Sequence, residues 1–292
     1  MTAPTVTPRE LAPPVLAATF LSTQELRSRG LSERRTAEAV SLGRLLRVRR
    51  GRYLDPVAHP DLVRAATLGG RLDCVSLLTA IGVFVREHDC LHLQFEHGSS
   101  RLPARPPRTA AHWRTSARGS ADLAADLVDA LAQACRCQRP RDAIATLDSA
   151  WHHGLVDEAG LADVFARLPG AYRRLRPLLD QRAESGPETL MRLMLRGLGC
   201  HVEVQVHIDG VGRVDLVVDG WLIVECDSRA FHEGWIAQKN DRRRDLAAAA
   251  RGYTTVRPIA EDILATPDVI LAAFRRILAA HAAANSSPVP QR

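Results

Sequence analysis

Asp215, Glu225 and Asp227 are carboxylates set among valines and isoleucines, within the run RVDLVVDGWLIVECDSRAFHEG. Asp215 belongs to an apolar strand pattern at 213–218. Glu225 and Asp227 lie at the end of a second pattern, 221–226, beyond an Asp219-Gly220 turn signal. An unpaired carboxylate in such surroundings costs several kcal/mol of effective desolvation. Three of them aimed at one place are accounted for by a divalent cation. Hard cations such as Mg²⁺ take oxygen ligands, usually one or two carboxylates with waters and substrate phosphates. An ion held this way polarises a phosphoryl oxygen and lowers the pKa of an attacking water, which is what phosphodiester hydrolysis requires.

That chemistry carries a geometric condition. Side chains alternate across a sheet with period two, so the hairpin register decides whether Asp215 and Glu225 share a face. A two-residue loop at Asp219-Gly220 pairs Asp215 with Val224 and sends Glu225 to the opposite face. A three-residue loop, Val218-Asp219-Gly220 with Gly220 left-handed, pairs Asp215 with Ile223 and puts both acids on one face. The hydrolytic reading requires the second register or a bulge.

The order Asp215, Glu225-Cys226-Asp227, His232, Asp241-Arg242-Arg243-Arg244-Asp245, then Gly252-Tyr253 and Thr255-Val256-Arg257, resembles the very-short-patch-repair-type endonuclease domain. That domain is a branch of the PD-(D/E)XK restriction-endonuclease-like superfamily. Upstream the resemblance takes in Glu188 of GPETLMRLML and Gln205 of VEVQV, and it covers residues 184–280. It implies a core of order α-β-β-β-α-β-α, a mixed sheet flanked by helices. It further implies Mg²⁺ or Mn²⁺ on Asp215, Glu225 and Asp227, catalytic roles for these acids with Glu188 and His232, and DNA as substrate. Many superfamily enzymes carry a lysine two positions after the second acid, whereas this chain has Asp227. His232 is therefore the expected general acid/base, with Lys239, the one lysine of the chain, as the alternative. Arg257 suits either a phosphate or a salt bridge to the acids. Glu188 is equally suited to the first turn of its helix, where a negative charge favours the dipole. Asp241 and Asp245 are expected to pair with arginines of their own helix.

Nearer the start, Ser22-Thr23-Gln24-Glu25 spells a capping box, and Ser32 caps a second helix over Glu33–Ser41 after a Gly30 turn. The run at 44–54 then alternates about Arg50-Gly51 as a hairpin. Helix, short turn, helix and hairpin (FLSTQELRSRGLSERRTAEAVSLGRLLRVRRGRYL) resemble the winged-helix domain of abortive-infection type IV antitoxins. The resemblance implies a DNA-binding head with Arg34, Arg35, Arg44, Arg47, Arg49 and Arg52 beside the phosphate backbone; Arg257, of the endonuclease-like stretch, is a further candidate for DNA contact. It also raises a protein partner of a toxin–antitoxin or defence system.

Charge placement agrees: residues 1–60 hold ten arginines against five acids, while 198–292 hold eleven bases against twelve acids, in a chain of net charge +6. The sequence shows no membrane span or signal peptide, so a cytoplasmic protein is expected. Six scattered cysteines lack zinc-finger spacing and are expected as reduced thiols without metal. The expected fold class is mixed α/β (α+β). The expected organisation is a flexible leader at 1–19, the winged-helix region at 20–107 and a helical connector at 108–183. A restriction-endonuclease-like domain at 184–281 and a disordered tail at 282–292 follow. Two functions fit: a Mg²⁺-dependent DNA endonuclease, or a non-catalytic, DNA-binding antitoxin-like transcriptional regulator on a decayed nuclease scaffold.

Overall fold

The computed structural model describes residues 6–226 and 235–286, with backbone alone at 235–238 and 286. The chain is mixed α/β and divides into two compact units, Met1–Leu179 and Asp180–Arg292. No helix among the described residues is long and apolar enough to cross a membrane.

The first unit starts with helix α1 (Pro8–Leu16), whose Ala12 and Val15 are buried. Nine residues of the expected flexible leader are thus helical and docked. The reason is an apolar face (Ala12, Val15, Leu16) that packs into the main core despite Pro13 and Pro14. Next come β1 (Leu21–Ser22), α2 (Thr23–Ser28), α3 (Glu33–Ser41), β2 (Leu46–Arg49) and β3 (Arg52–Leu54). The capping box forms in full. The Ser22 N–H donates to Glu25 Oε2 at 2.6 Å, and the Glu25 N–H donates to Ser22 Oγ at 3.1 Å. Ser32 Oγ accepts from the Arg35 N–H, starting α3 at the residue its sequence implies. Gly51 turns the β2–β3 hairpin with φ of 70°, a conformation that costs other residues strain. The sheet order is β1-β3-β2, and Leu26, Leu45 and Tyr53 form a small core between it and the helices.

The larger core of this unit uses α4 (Pro60–Leu68), β4 (Arg71–Leu72), α5 (Cys74–Ala80), β5 (Leu91–Phe95), β6 (Thr109–Trp113), α6 (Leu127–Cys137), α7 (Pro140–His152) and α8 (Glu158–Ala166). Strands β4 and β5 pair antiparallel and β5 and β6 parallel. Leu131, Leu147 and Leu161, from the segment expected as a connector, share one buried cluster with Leu54, Leu77 and Leu93. Beneath the sheet the Asp73 carboxylate, fully buried, accepts two parallel bonds of 2.6 Å from the Arg114 guanidinium. That bidentate pair ties the start of α5 to the chain leaving β6.

The second unit runs α9 (Gly186–Gly197), β7 (Val202–Ile208), β8 (Gly212–Val218), β9 (Leu222–Val224), α10 (Trp235–Ala249), β10 (Thr254–Val256), α11 (Ala260–Ala265) and α12 (Pro267–Ser286). Its sheet has the order β10-β9-β8-β7, antiparallel except for the parallel β9–β10 pair. Helix α12 continues to Ser286, so part of the expected disordered tail is helical. Phe274 is its buried anchor, whereas Val269 in the same apolar stretch is exposed.

Candidate active site

Asp215 lies on β8, Glu225 just past β9, Glu188 in the first turn of α9, and Arg257 just past β10. The loop between β8 and β9 has three residues, Asp219, Gly220 and Trp221, because Val218 pairs with Leu222. It therefore sits one position later than the Val218–Gly220 loop expected from the sequence. Asp219 and Gly220 both take positive φ, 48° and 74°, and the Trp221 N–H closes the turn on Val218 O at 3.1 Å. The ladder runs Val218–Leu222, Val217–Ile223, Leu216–Val224. The pairing ends there; one step further in the same register would set Asp215 across from Glu225 instead of Ile223. The two registers share parity, so the ladder still directs both acids to one face.

Each acid has defined partners. Asp215 Oδ2 accepts the Cys226 N–H at 2.8 Å, which pins the carboxylate to the chain leaving β9. The Gln205 side-chain amide donates to Glu188 Oε2 at 3.0 Å and approaches Asp215 Oδ1 at 3.4 Å. Gln205 achieves this from mid-strand with φ of 54°, a left-handed conformation rare for a residue with a side chain. The sequence drew Gln205 into the resemblance without a role; the structure makes it the link between two of the acids. Glu188 is buried, and its carboxylate also accepts the Glu184 N–H at 3.0 Å. Burial, and next the nearby Asp215 charge, push the Glu188 carboxyl above the usual carboxylate range. An exposed first-turn acid would show neither effect.

Glu225 is 7% exposed and held by two guanidiniums. Arg244 of α10 donates to its Oε1 at 2.8 Å, and Arg257 pairs with its Oε2. Arg257 also reaches Asp245 at 2.9 Å. Of the two roles open to Arg257, the structure thus contains the salt bridge to the acids. Asp241 keeps to its own helix, 3.9 Å from Arg244, whereas Asp245 pairs across to Arg257, because the end of β10 lies beside α10. Asp227 and His232 lie outside the described residues. Lys239 is exposed on α10.

The donor set suits a hard cation in kind. Glu188, Asp215 and Glu225 offer carboxylate oxygens, and the Glu188 carboxyl is raised by burial first and by the Asp215 charge second. Their linkage gives a direct prediction. A carboxyl raised on folding stabilises the native state fully below its ordinary titration range. That contribution is lost as pH climbs from there through the raised value. Glu188→Gln, which mimics the protonated acid, is expected to gain stability relative to the natural chain as pH rises across that window. Urea unfolding at a series of pH values measures this, and a pH-independent difference would disprove the coupling.

Of the arginines expected at DNA, Arg34 and Arg35 are exposed on α3, and Arg44 and Arg47 are exposed before and on β2. Arg49 and Arg52 are half-buried. Arg49 donates to Arg101 O at 3.3 Å, and the Arg52 guanidinium lies 4.2 Å from the centre of the Phe20 ring. Arg50, exposed at the hairpin turn, adds a charge the sequence reading left out. Arg49, Arg50 and Arg52 line one groove with Gly69, Ser99, Ser100 and Leu102.

The cysteines, expected as scattered reduced thiols without metal, are not all apart from one another in the fold. Cys74 and Cys137 converge with His92 and His112, a grouping hidden in the sequence because the four lie on four different elements. No known protein family matches the chain, and no curated protein matches it.

Proposed function

We propose that this protein is a Mg²⁺-dependent DNA endonuclease of restriction-endonuclease-like fold, brought to duplex DNA by a winged-helix head. The observation that carries the reading is the Gln205 amide joining buried Glu188 of α9 to half-buried Asp215 of β8, whose carboxylate is tied by the Cys226 N–H to the chain just past Glu225. The order α9-β7-β8-β9-α10-β10-α12, with short α11 interposed, matches the nuclease-core order inferred from the resemblance. On this reading Asp215, Glu225 and Asp227 hold the cation, with Glu188 beside them. The bound ion supplies charge neutralisation at the phosphoryl oxygen and acidifies a water. Gln205 and the Cys226 N–H fix the orientation of Asp215. Arg244 and Arg257 compensate Glu225 and place positive charge where a phosphate backbone would lie.

The head supports the same reading through its helix–turn–helix–hairpin order and its exposed Arg34, Arg35, Arg44, Arg47 and Arg50. The primary test is cleavage of plasmid DNA by purified full-length protein with Mg²⁺ or Mn²⁺, abolished by chelator. A separate test addresses the head. Replacing Arg44, Arg47 and Arg50 with Gln is expected to weaken duplex binding. The slope of log affinity against log salt should flatten by about one unit for each phosphate that is no longer neutralised. The whole chain is needed for this measurement, since Leu54 and Val48 of the hairpin pack into the larger core. Unchanged binding and slope would make the head a protein-interaction module.

A further inference from the structure

Cys74 is the first residue of α5, His92 and His112 lie on the paired strands β5 and β6, and Cys137 is the last residue of α6. One ligand atom from each lies within 4.8 Å of all the others. His92 Nδ1 stands 3.1 Å from His112 Nε2, and Cys137 Sγ stands 3.9 Å from the same nitrogen. In a tetrahedral zinc site, Zn–S of about 2.3 Å and Zn–N of about 2.0–2.1 Å imply ligand–ligand edges of about 3.3–3.8 Å. The observed separations bracket that range. We infer that these four side chains form a closed Cys₂His₂ zinc site that is structural and separate from the carboxylate site of the second unit.

The chemistry of the donors selects the metal. Two sulfurs and two imidazole nitrogens in a compact group suit Zn²⁺, whereas Mg²⁺ and Ca²⁺ take oxygen. Two thiolates would cancel the charge of Zn²⁺ and leave a neutral centre, which fits a position where Cys74 is buried and both histidines are half-buried. The Gln133 amide donates to Cys137 Sγ at 3.4 Å from one turn back on α6, the kind of outer interaction that orients a ligating thiolate. Cys74 adopts φ of 53°, a left-handed conformation unusual for a residue with a Cβ, and this turns its side chain toward the cluster. The buried Asp73–Arg114 pair braces the backbone on either side, next to Cys74 and two residues after His112.

Four protein ligands leave no open position, so the site holds structure and does not activate water. The ligands are spaced 18, 20 and 25 residues apart, far from the short pairs of a zinc finger. Metal there would fasten α5 and α6 to both strands and close three loops at once.

The test uses full-length protein carrying no polyhistidine tag, purified without chelator. Elemental analysis is expected to find equimolar zinc, lost in Cys137→Ser and His112→Asn and retained in Cys90→Ser, a thiol outside the cluster. Because a variant can lose metal by misfolding, the natural chain supplies a second measurement. Zinc is released by a mercurial, the thiols are restored, and Co²⁺ alone is added. Tetrahedral thiolate ligation is expected to give intense visible d–d bands with sulfur-to-cobalt charge transfer in the near ultraviolet. Thermal denaturation should then show a lower Tm for the zinc-free natural chain, recovered on adding Zn²⁺. Absence of both zinc and the cobalt bands would overturn the site, as would zinc retained in both ligand variants. A Cys74–Cys137 disulfide in the freshly purified protein, seen by mass spectrometry without reduction, would overturn it equally.

Discussion

Asp215→Asn is expected to lower Mg²⁺-dependent DNA cleavage about a thousandfold while leaving the fold and DNA retention intact. Losing the charge of a metal-binding carboxylate removes several kcal/mol of transition-state stabilisation, and each 1.36 kcal/mol is about tenfold in rate. Asparagine is the informative substitution because its amide oxygen can still accept the Cys226 N–H that now meets Asp215 at 2.8 Å. The geometry survives and the charge does not. Glu225→Ala should abolish cleavage as well, but it also strips Arg244 and Arg257 of their shared carboxylate. Its stability must therefore be measured alongside its activity, since removing one partner of a buried ion network is itself destabilising. Equal cleavage by the natural chain and both variants would trace the activity to a contaminant and leave the non-catalytic regulator as the reading. Cleavage lost in Asp215→Asn with unchanged urea unfolding would support the site directly.

Local rules carried much of the fold, and long-range pairings carried the rest. The Ser22–Glu25 box and the Ser32 cap are written within four residues, so α2 and α3 were legible where they start. The Asp219-Gly220 turn was legible too, but its loop length was not. Both residues take positive φ, and Trp221 enters the loop because Val218 and Leu222 pair at its mouth, a choice set by packing of the valine-rich strands. The acids were conspicuous as charges in apolar runs. Their partners were less so: Arg244 and Arg257 converge on Glu225 from α10 and the end of β10, elements that meet it only in the folded sheet. The prolines of α1 hid a helix whose buried face depends on a core built mostly from residues beyond 54. The cysteine–histidine cluster was the least legible of all, since no two of its members lie within a motif's reach of one another.

If the chain is an endonuclease of the kind its motif resembles, Asp227 stands where many enzymes of that superfamily carry a lysine, and this sets the last test. On the endonuclease reading the described site residues Glu188, Asp215 and Glu225 are all acids, so a proton donor has to come from elsewhere when the leaving oxygen departs. Arg244 and Arg257 bring positive charge to Glu225 but are always protonated and cannot give up a proton at neutral pH. Lys239 is exposed on α10, where a long flexible side chain is commonly solvated. His232 lies outside the described residues, yet its sequence position matches the endonuclease motif, and an imidazole titrates near neutral pH. His232→Ala is therefore expected to reduce turnover by about 10²–10⁴-fold, the range typical of a missing general acid/base, with DNA binding unchanged. Lys239→Met should stay close to the activity of the natural chain. The pH–rate profile separates a proton-transfer role from a structural one: an alkaline limb present in the natural chain should vanish in His232→Ala. If Lys239→Met is inactive and His232→Ala is active, the lysine has moved along the chain instead of being replaced, and the imidazole has no part in the reaction.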